Sequence, residues 1–374
     1  MSQKTLTIAA VVAAATIGTG VFALPYVIQT SGWLLALCYF VALIAAVSVA
    51  HIVYLRTLEK VDEKERLLGL AKRYFGMGGF WFGFLAIVIG LLLSFVAYLV
   101  LGGQFVAILF PAVSPSAGLW FFWILLACLI WGSEGKIAGL EATGIALISC
   151  AILFIFFSGH PVTALVGIPL AIPQDFFLPF GAVLFALAGW TSVEQVYELA
   201  HSDRRESNRP DARALGVFMA GTAFAALLYW LFALGVLGGG GLRVSMDVIS
   251  GIGSWPSWRK DGLAIIGLLA VAVVSLPLAR EIRGALEKDL KWNSVAARCI
   301  IIFLPLAAIL SGFNNFLTIV SVAGGVFIGT QYLLIISVGR RALDLSAREK
   351  ILLDILALIF IFAAIYSIYA FIVR

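Results

Sequence analysis

Eleven apolar stretches follow one another along this 374-residue chain and leave little room for anything else. They run over about residues 5–28, 32–55, 80–109, 116–132, 137–158, 176–198, 213–237, 261–282, 295–311, 315–338 and 350–373. A helix rises 1.5 Å per residue, so about 20 apolar residues cross the roughly 30 Å hydrocarbon core of a bilayer. With 62% hydrophobic and 12% charged residues, the chain also departs from ordinary soluble domains, for which about 45–50% apolar and 25% charged is usual. The fold class is therefore an all-α polytopic membrane protein with about 11 transmembrane helices and no hidden soluble catalytic domain. Met1 to Ala15 has the Lys4 charge and Ala-rich end of a signal peptide. The apolar run continues to Ile28, so it reads as the first, uncleaved span. Cys38, Cys128, Cys150 and Cys299 lie within apolar runs without metal-ligand spacing and are expected as small buried side chains, with no metal site.

The basic residues give a direction. With the N-terminus cytoplasmic, 21 of the 25 Lys and Arg fall on the inner side and only Arg243, Arg259, Lys260 and Arg374 on the outer. Such asymmetry is the positive-inside pattern, and one missed span would scramble it. The expected arrangement is a multi-pass protein of the cell (inner or plasma) membrane, N-terminus cytoplasmic and C-terminus extracytoplasmic. The net charge of +5 then reflects cytoplasmic loops and calls for no nucleic-acid partner; the partners are a lipid bilayer and a small molecule. The oligomeric state is not legible.

Within the first span, the run TIGTGVFALP from Thr16 to Pro25 places Gly18 and Gly20 at mid-membrane depth. Each weakens a helix interior by roughly 1 kcal/mol, and a helix that opens there orphans N–H and C=O groups that lipid cannot satisfy. Such a break needs a polar occupant. The preceding half-helix presents carbonyls that suit a cation, and the following one presents amides that suit a carboxylate. The alternative is close packing of neighbouring helices on Ala14, Gly18 and other small residues.

The sixth span carries the matching feature, FALAGWTSVE from Phe185 to Glu194. The two centres lie five spans apart, an odd number, so the second enters the membrane from the opposite side. That is a five-plus-five inverted repeat, and matching interruptions in two inverted halves point to a midplane transport site. The halves would be residues 1–158 with helices 1–5 and 176–338 with helices 6–10, followed by an additional helix 11 at 350–374.

The run IGTGVFALPY resembles the first-helix signature of the amino acid/auxin permease and aromatic amino acid permease families, within the amino acid, polyamine and organocation transporter superfamily. FALAGWTSVEQVYEL is similar to the family's sixth-helix segment, and VVSLPLAREIRGAL looks like the end of its eighth helix. The resemblance implies a LeuT-like fold with discontinuous helices 1 and 6, alternating access, and an amino acid bound at the breaks. It further implies that the carboxylate meets the backbone around Thr19, Gly20 and Val21, and that the amino group meets the carbonyls around Thr16 and Ile17 beside Gly18. Ala188, Gly189 and Trp190 would complete the pocket, with Tyr98 reaching in from the third span. A cation site would lie between the first break and the eighth helix, with Ala14, Ile17 and Ser275 around it. Trp190 and Tyr98 as ordinary span aromatics, and Ser275 as a hydroxyl relieving a carbonyl beside Pro277, are the plainer alternatives.

The coupling ion is open between sodium and a proton, and no other cofactor is implied. Some relatives place a fifth-helix lysine in the cation position, but residues 143–152 contain none and Lys136 sits at the membrane edge. Ionisable residues inside spans are functional candidates because they are costly there. Glu194 is the deepest; Glu141 and His51 read as interfacial residues bonded to loops. Gln104, Gly102 and Gly103 either line the outer pathway or pack closely. Glu59 to Gly76 reads as an amphipathic cytoplasmic helix or connector. The outer loop from Gly238 to Lys260 contains GGGGLR but lacks a phosphate loop's Gly-Lys-Ser/Thr ending and preceding strand; it reads as a lid carrying Trp255 and Trp258.

A secondary active amino acid transporter accounts for these features, with an exchanger or uncoupled facilitator as the alternative. A channel would show a repeated filter or pore ring. An intramembrane enzyme would need a catalytic set within the spans; no span holds two aspartates, and His51 has no evident serine nucleophile.

Overall fold

The computed structural model describes residues 3–61, 65–132, 137–159, 166–202, 212–240, 244, 252 and 255–373, and no strand occurs among them. In chain order the helices are α1 Gln3–Thr16, α2 Leu24–Ser31, α3 Trp33–Val61, α4 Leu67–Phe84, α5 Gly90–Leu109, α6 Pro115–Gly132, α7 Ile137–Ser158, α8 Leu178–Leu187, α9 Ser192–Ser202, α10 Ala212–Gly240, α11 Ser257–Gly284, α12 Ser294–Leu310, α13 Phe316–Val322, α14 Gly329–Ala342 and α15 Ala347–Val373. Among the described residues seven helices are long and apolar enough to cross a membrane, and Leu6–Thr16 with Thr19–Ser31, bent by 54°, makes an eighth if the pair is one span. The shorter apolar helices Ala146–Ser158 and Ser294–Leu310, with the split pair α8 and α9, complete the eleven expected spans.

Local chemistry explains several boundaries. Asn293 and Asn315 cap α12 and α13, their side-chain oxygens accepting from Ala296 N at 2.7 Å and Thr318 N at 2.9 Å. Gly32, at φ 97°, turns the chain between α2 and α3, and a Cβ there would lie 2.6 Å from the Ala171 backbone. The segment before α8 presses on that corner: Ile172 N donates to Ser31 O at 2.8 Å, and Leu34 N to Leu170 O at 3.0 Å. Wider π-helical turns interrupt two spans, at Leu85–Ile89 and Ala323–Ile328, and a third follows the end of α11 at Ala285–Asp289. Such turns concentrate at functional sites.

The discontinuous first and sixth spans, α3 and α10 pack together, with α5, α7 and α11 alongside. The outer faces are apolar: Ile351, Leu358, Phe362 and Ile365 on α15 and Phe121 and Ile124 on α6 are exposed. In water such a surface would aggregate; in a bilayer it meets lipid. The same inversion corrects the reading of the cysteines. Cys38, Cys128 and Cys150 are exposed on helix faces and Cys299 is half-buried, because a thiol is apolar enough to face hydrocarbon. Gly102 and Gly103 serve close packing, since a Cβ on them would strike Phe122 and the Leu119 backbone of α6. The connector expected over 59–76 is the end of α3 and the start of α4, kinked at Gly76, where φ is 67°. The outer loop expected as a lid lies mostly outside the described residues; its end places Trp255 buried under Arg259, 3.8 Å from guanidinium to ring. The Glu141 side chain and Lys136 also lie outside the described residues.

Candidate functional site

Both helix breaks exist and face each other. In the first span α1 ends at Thr16, Gly18 is extended at φ −150° and ψ −167°, and a tight helical turn over Thr19–Ala23 leads into α2. In the sixth span α8 ends at Leu187, Ala188 is extended at ψ 109°, and α9 starts at Ser192. Glycine permits the contact: a Cβ on Gly20 would stand 2.6 Å from Ala186 Cα, and one on Gly189 would stand 2.5 Å from Thr16 Oγ1. Gly20 is therefore required by backbone packing, a different constraint from the carboxylate approach expected of it. Gly18 is different again, for its nearest neighbour to such an atom is Thr16 O at 3.9 Å.

The orphaned backbone groups find partners on distant helices. Gly18 N donates to Tyr229 Oη at 2.9 Å, and that hydroxyl lies 2.6 Å from Thr16 O and 3.1 Å from Ala186 O. Gly189 N donates to Tyr332 Oη at 3.4 Å, and Tyr332 Oη lies 3.1 Å from His51 Nε2. Ser192 closes the second break from within, its hydroxyl donating to Gly189 O at 2.6 Å. Trp190 Nε1 donates to Gln331 Oε1 at 2.6 Å, and Gln331 Nε2 donates to Ala86 O, inside the π-helical turn of the third span, at 2.9 Å. His51, expected at the interface, is wholly buried in this network, because its Tyr332 partner holds it in the core.

A cavity of about 140 Å³ opens where the breaks meet. A single water needs only roughly 10–15 Å³, so the space suits a small organic molecule. Of the residues singled out in the sequence, Ala14, Thr16, Ile17, Gly18, Thr19, Gly20, Tyr98, Ala188 and Trp190 line it. Val21, Gly189, Ser275 and Glu194 do not. Val21 and Ser275 are buried, and Ser275 Oγ donates to Val271 O of its own helix at 2.6 Å. Among the described residues no group of three or more His, Cys, Asp or Glu could hold a metal ion.

At the α9 end stands a charged cluster that the sequence reading did not assemble. Glu194 accepts from Tyr54 Oη at 2.6 Å and lies 3.4 Å from Arg66 Nε; Arg66 Nη2 donates to Glu281 at 2.7 Å. Glu281 also lines the cavity, so it links the site to this charged cluster. Burial opposes the Arg66 charge, but Glu281 and Glu194 outweigh it and raise this guanidinium above its ordinary value. On the α2 side, Phe22 packs edge-on against Phe105 and Phe232, with centroids at 5.0 and 5.3 Å. Tyr229, Gln331 and Glu281 each left a trace in the sequence, a polar group inside or at the end of an apolar run, but their partners lie far off along the chain.

Residues 1–242 match the model of the tryptophan/tyrosine permease family. Among curated proteins none matches significantly. Among solved structures the chain is similar to MhsT in complex with L-phenylalanine, with TM-score 0.67 at 15% identity over 97% of this chain and 98% of that one. It is also similar to Mhp1, a nucleobase-cation-symport-1 family transporter in a closed conformation with bromovinylhydantoin bound, with TM-score 0.63 at 13% identity over 98% and 91%. A mutant of the Eremococcus coleocola manganese transporter gives TM-score 0.59 at 12% identity over 97% and 94%. These likenesses place the chain in the LeuT-like fold of five-plus-five inverted repeats with broken first and sixth helices. The family match, extending over more than half of the chain, settles the identity: this protein belongs to the tryptophan/tyrosine permease family and is a secondary active amino acid transporter, not an enzyme.

Proposed function

We propose that the cavity between the two breaks binds an aromatic amino acid and carries it across the cytoplasmic membrane, driven by a sodium or proton gradient. The observation that carries this reading is the convergence of both breaks on one cavity, with aromatic and apolar lining from Tyr98, Phe185, Trp190 and Ile328. The helical stretch Thr19–Ser31 begins at the cavity, and helix N-termini attract carboxylates. Thr16 O accepts from Tyr229, and with the neighbouring Ile17 and Ala188 backbone at the cavity it would face the ammonium group. The family and the phenylalanine bound by MhsT support the aromatic class. The excess of basic residues on one side supports a cytoplasmic N-terminus. The sequence halves 1–158 and 176–338, with 350–374 as an extra helix, are the natural repeat units.

Gly18→Val tests the site. Its side chain enters open cavity and its extended φ suits any residue, so the protein should stay folded and monodisperse in detergent while binding of radiolabelled L-tryptophan is lost. Wild-type binding by that variant would remove the breaks as the substrate site. Counterflow of labelled L-tryptophan into proteoliposomes should be saturable and independent of ATP.

A further inference from the structure

We propose that Tyr229 is a positioning residue of the transport site: its hydroxyl ties the broken ends of the first and sixth helices into one frame. Three backbone groups meet this single oxygen, the Gly18 N–H at 2.9 Å, Thr16 O at 2.6 Å and Ala186 O at 3.1 Å. Thr16 is the last residue of α1 and Ala186 lies in the last turn of α8, so both carbonyls are among those a helix end leaves unpaired. A phenol has one proton and two lone pairs. The proton serves the closer Thr16 carbonyl and is shared with Ala186, while a lone pair accepts from Gly18. The ring is wholly buried in α10, 43 residues along the chain from Ala186 and 211 to 213 from the first break, so the oxygen is delivered from a third helix. The frame is fixed by a neutral hydroxyl. Thr16, Gly18 and Ala186 flank or form the cavity wall, so a shift of this oxygen displaces the groups that face the substrate, through the helix breaks and not by direct contact.

The inference rests on the substrate reading above. Its test is binding of radiolabelled L-tryptophan to the full-length protein in lipid nanodiscs. Tyr229→Phe should weaken binding about tenfold or more, since three backbone groups lose their partner. The 4-amino analogue of phenylalanine incorporated at position 229, which restores N–H donors for the Thr16 and Ala186 carbonyls but only a weak acceptor for the Gly18 amide, should recover at least about threefold of the affinity that Tyr229→Phe loses. Loss of folding stability alone would not be rescued in affinity by that group. A Tyr229→Phe protein that binds like wild type, or a 4-amino protein as weak as Tyr229→Phe, overturns the proposal. Should Tyr229→Phe not fold, 3,5-difluorotyrosine at 229 keeps the hydroxyl but alters its donor strength; unchanged affinity then overturns it and a shifted affinity supports it. Gly18→Val separates the two claims. Intact binding there defeats the substrate reading, whereas loss there with normal Tyr229→Phe binding defeats this inference alone.

Discussion

The two helix breaks face the same physical problem and solve it differently. The first is held from outside: Gly18 N, Thr16 O and the neighbouring Ala186 O all depend on Tyr229, 211 to 213 residues from the first break. The second is held largely from within, by Ser192 bonding Gly189 through both its hydroxyl at 2.6 Å and its amide at 3.0 Å. Two bonds reach outward from it, Trp190 Nε1 to Gln331 at 2.6 Å and the longer Gly189 N to Tyr332 Oη at 3.4 Å. A self-capped break keeps its shape when neighbouring helices shift, whereas a borrowed cap follows the helix that lends it. The inverted halves therefore share a topology without sharing the means of stabilising it.

Five substitutions probe that contrast. Gly20→Leu should have the largest effect, because its Cβ would meet the Ala186 backbone at 2.6 Å and backbone cannot rotate away. A loss of more than about 3 kcal/mol is expected, seen as absence of a monodisperse peak in fluorescence-detected gel filtration. Glu281→Ala removes one carboxylate from Arg66 but leaves Glu194 at 3.4 Å. With the three side chains 13 to 25% exposed, a cost of about 2 kcal/mol is expected in thermal unfolding, and Arg66→Gln should add little on top of it if the three act as one unit. Trp190→Phe keeps a ring but strands the Gln331 oxygen, for about 1–2 kcal/mol; equal stability would show that this link does not hold the second break. Ser192→Ala should cost about 1 kcal/mol, the smallest effect, since the Ser192 amide still bonds Gly189 O. A larger cost there than for Tyr229→Phe would reverse the comparison.

Much of this was legible in the sequence, and what was not has a physical reason. The spans follow from apolar length. The first break follows from Gly18 and Gly20 in an apolar run, the second from FALAGWTSVE, and the opposed entry of the two from counting spans. Those signals are local. Tyr229, Tyr332, Gln331 and the Arg66–Glu281 pair act on residues 141 to 281 positions away in bonds that no spacing rule marks. His51 illustrates the cost: its place near a span end suggested the interface, while its partner on α14 puts it in the core. Glu281 lies at the edge of the eighth apolar run and was not singled out from the sequence; only the turn of α11 shows it facing the cavity.

The account's central claim is that the two breaks jointly cradle the transported amino acid. A cryo-electron microscopy map of the protein in lipid nanodiscs with saturating L-tryptophan tests it most directly. Ligand density touching both the Gly18–Gly20 backbone and the Trp190 ring is predicted; ligand density elsewhere, with the space between the breaks empty, would contradict it.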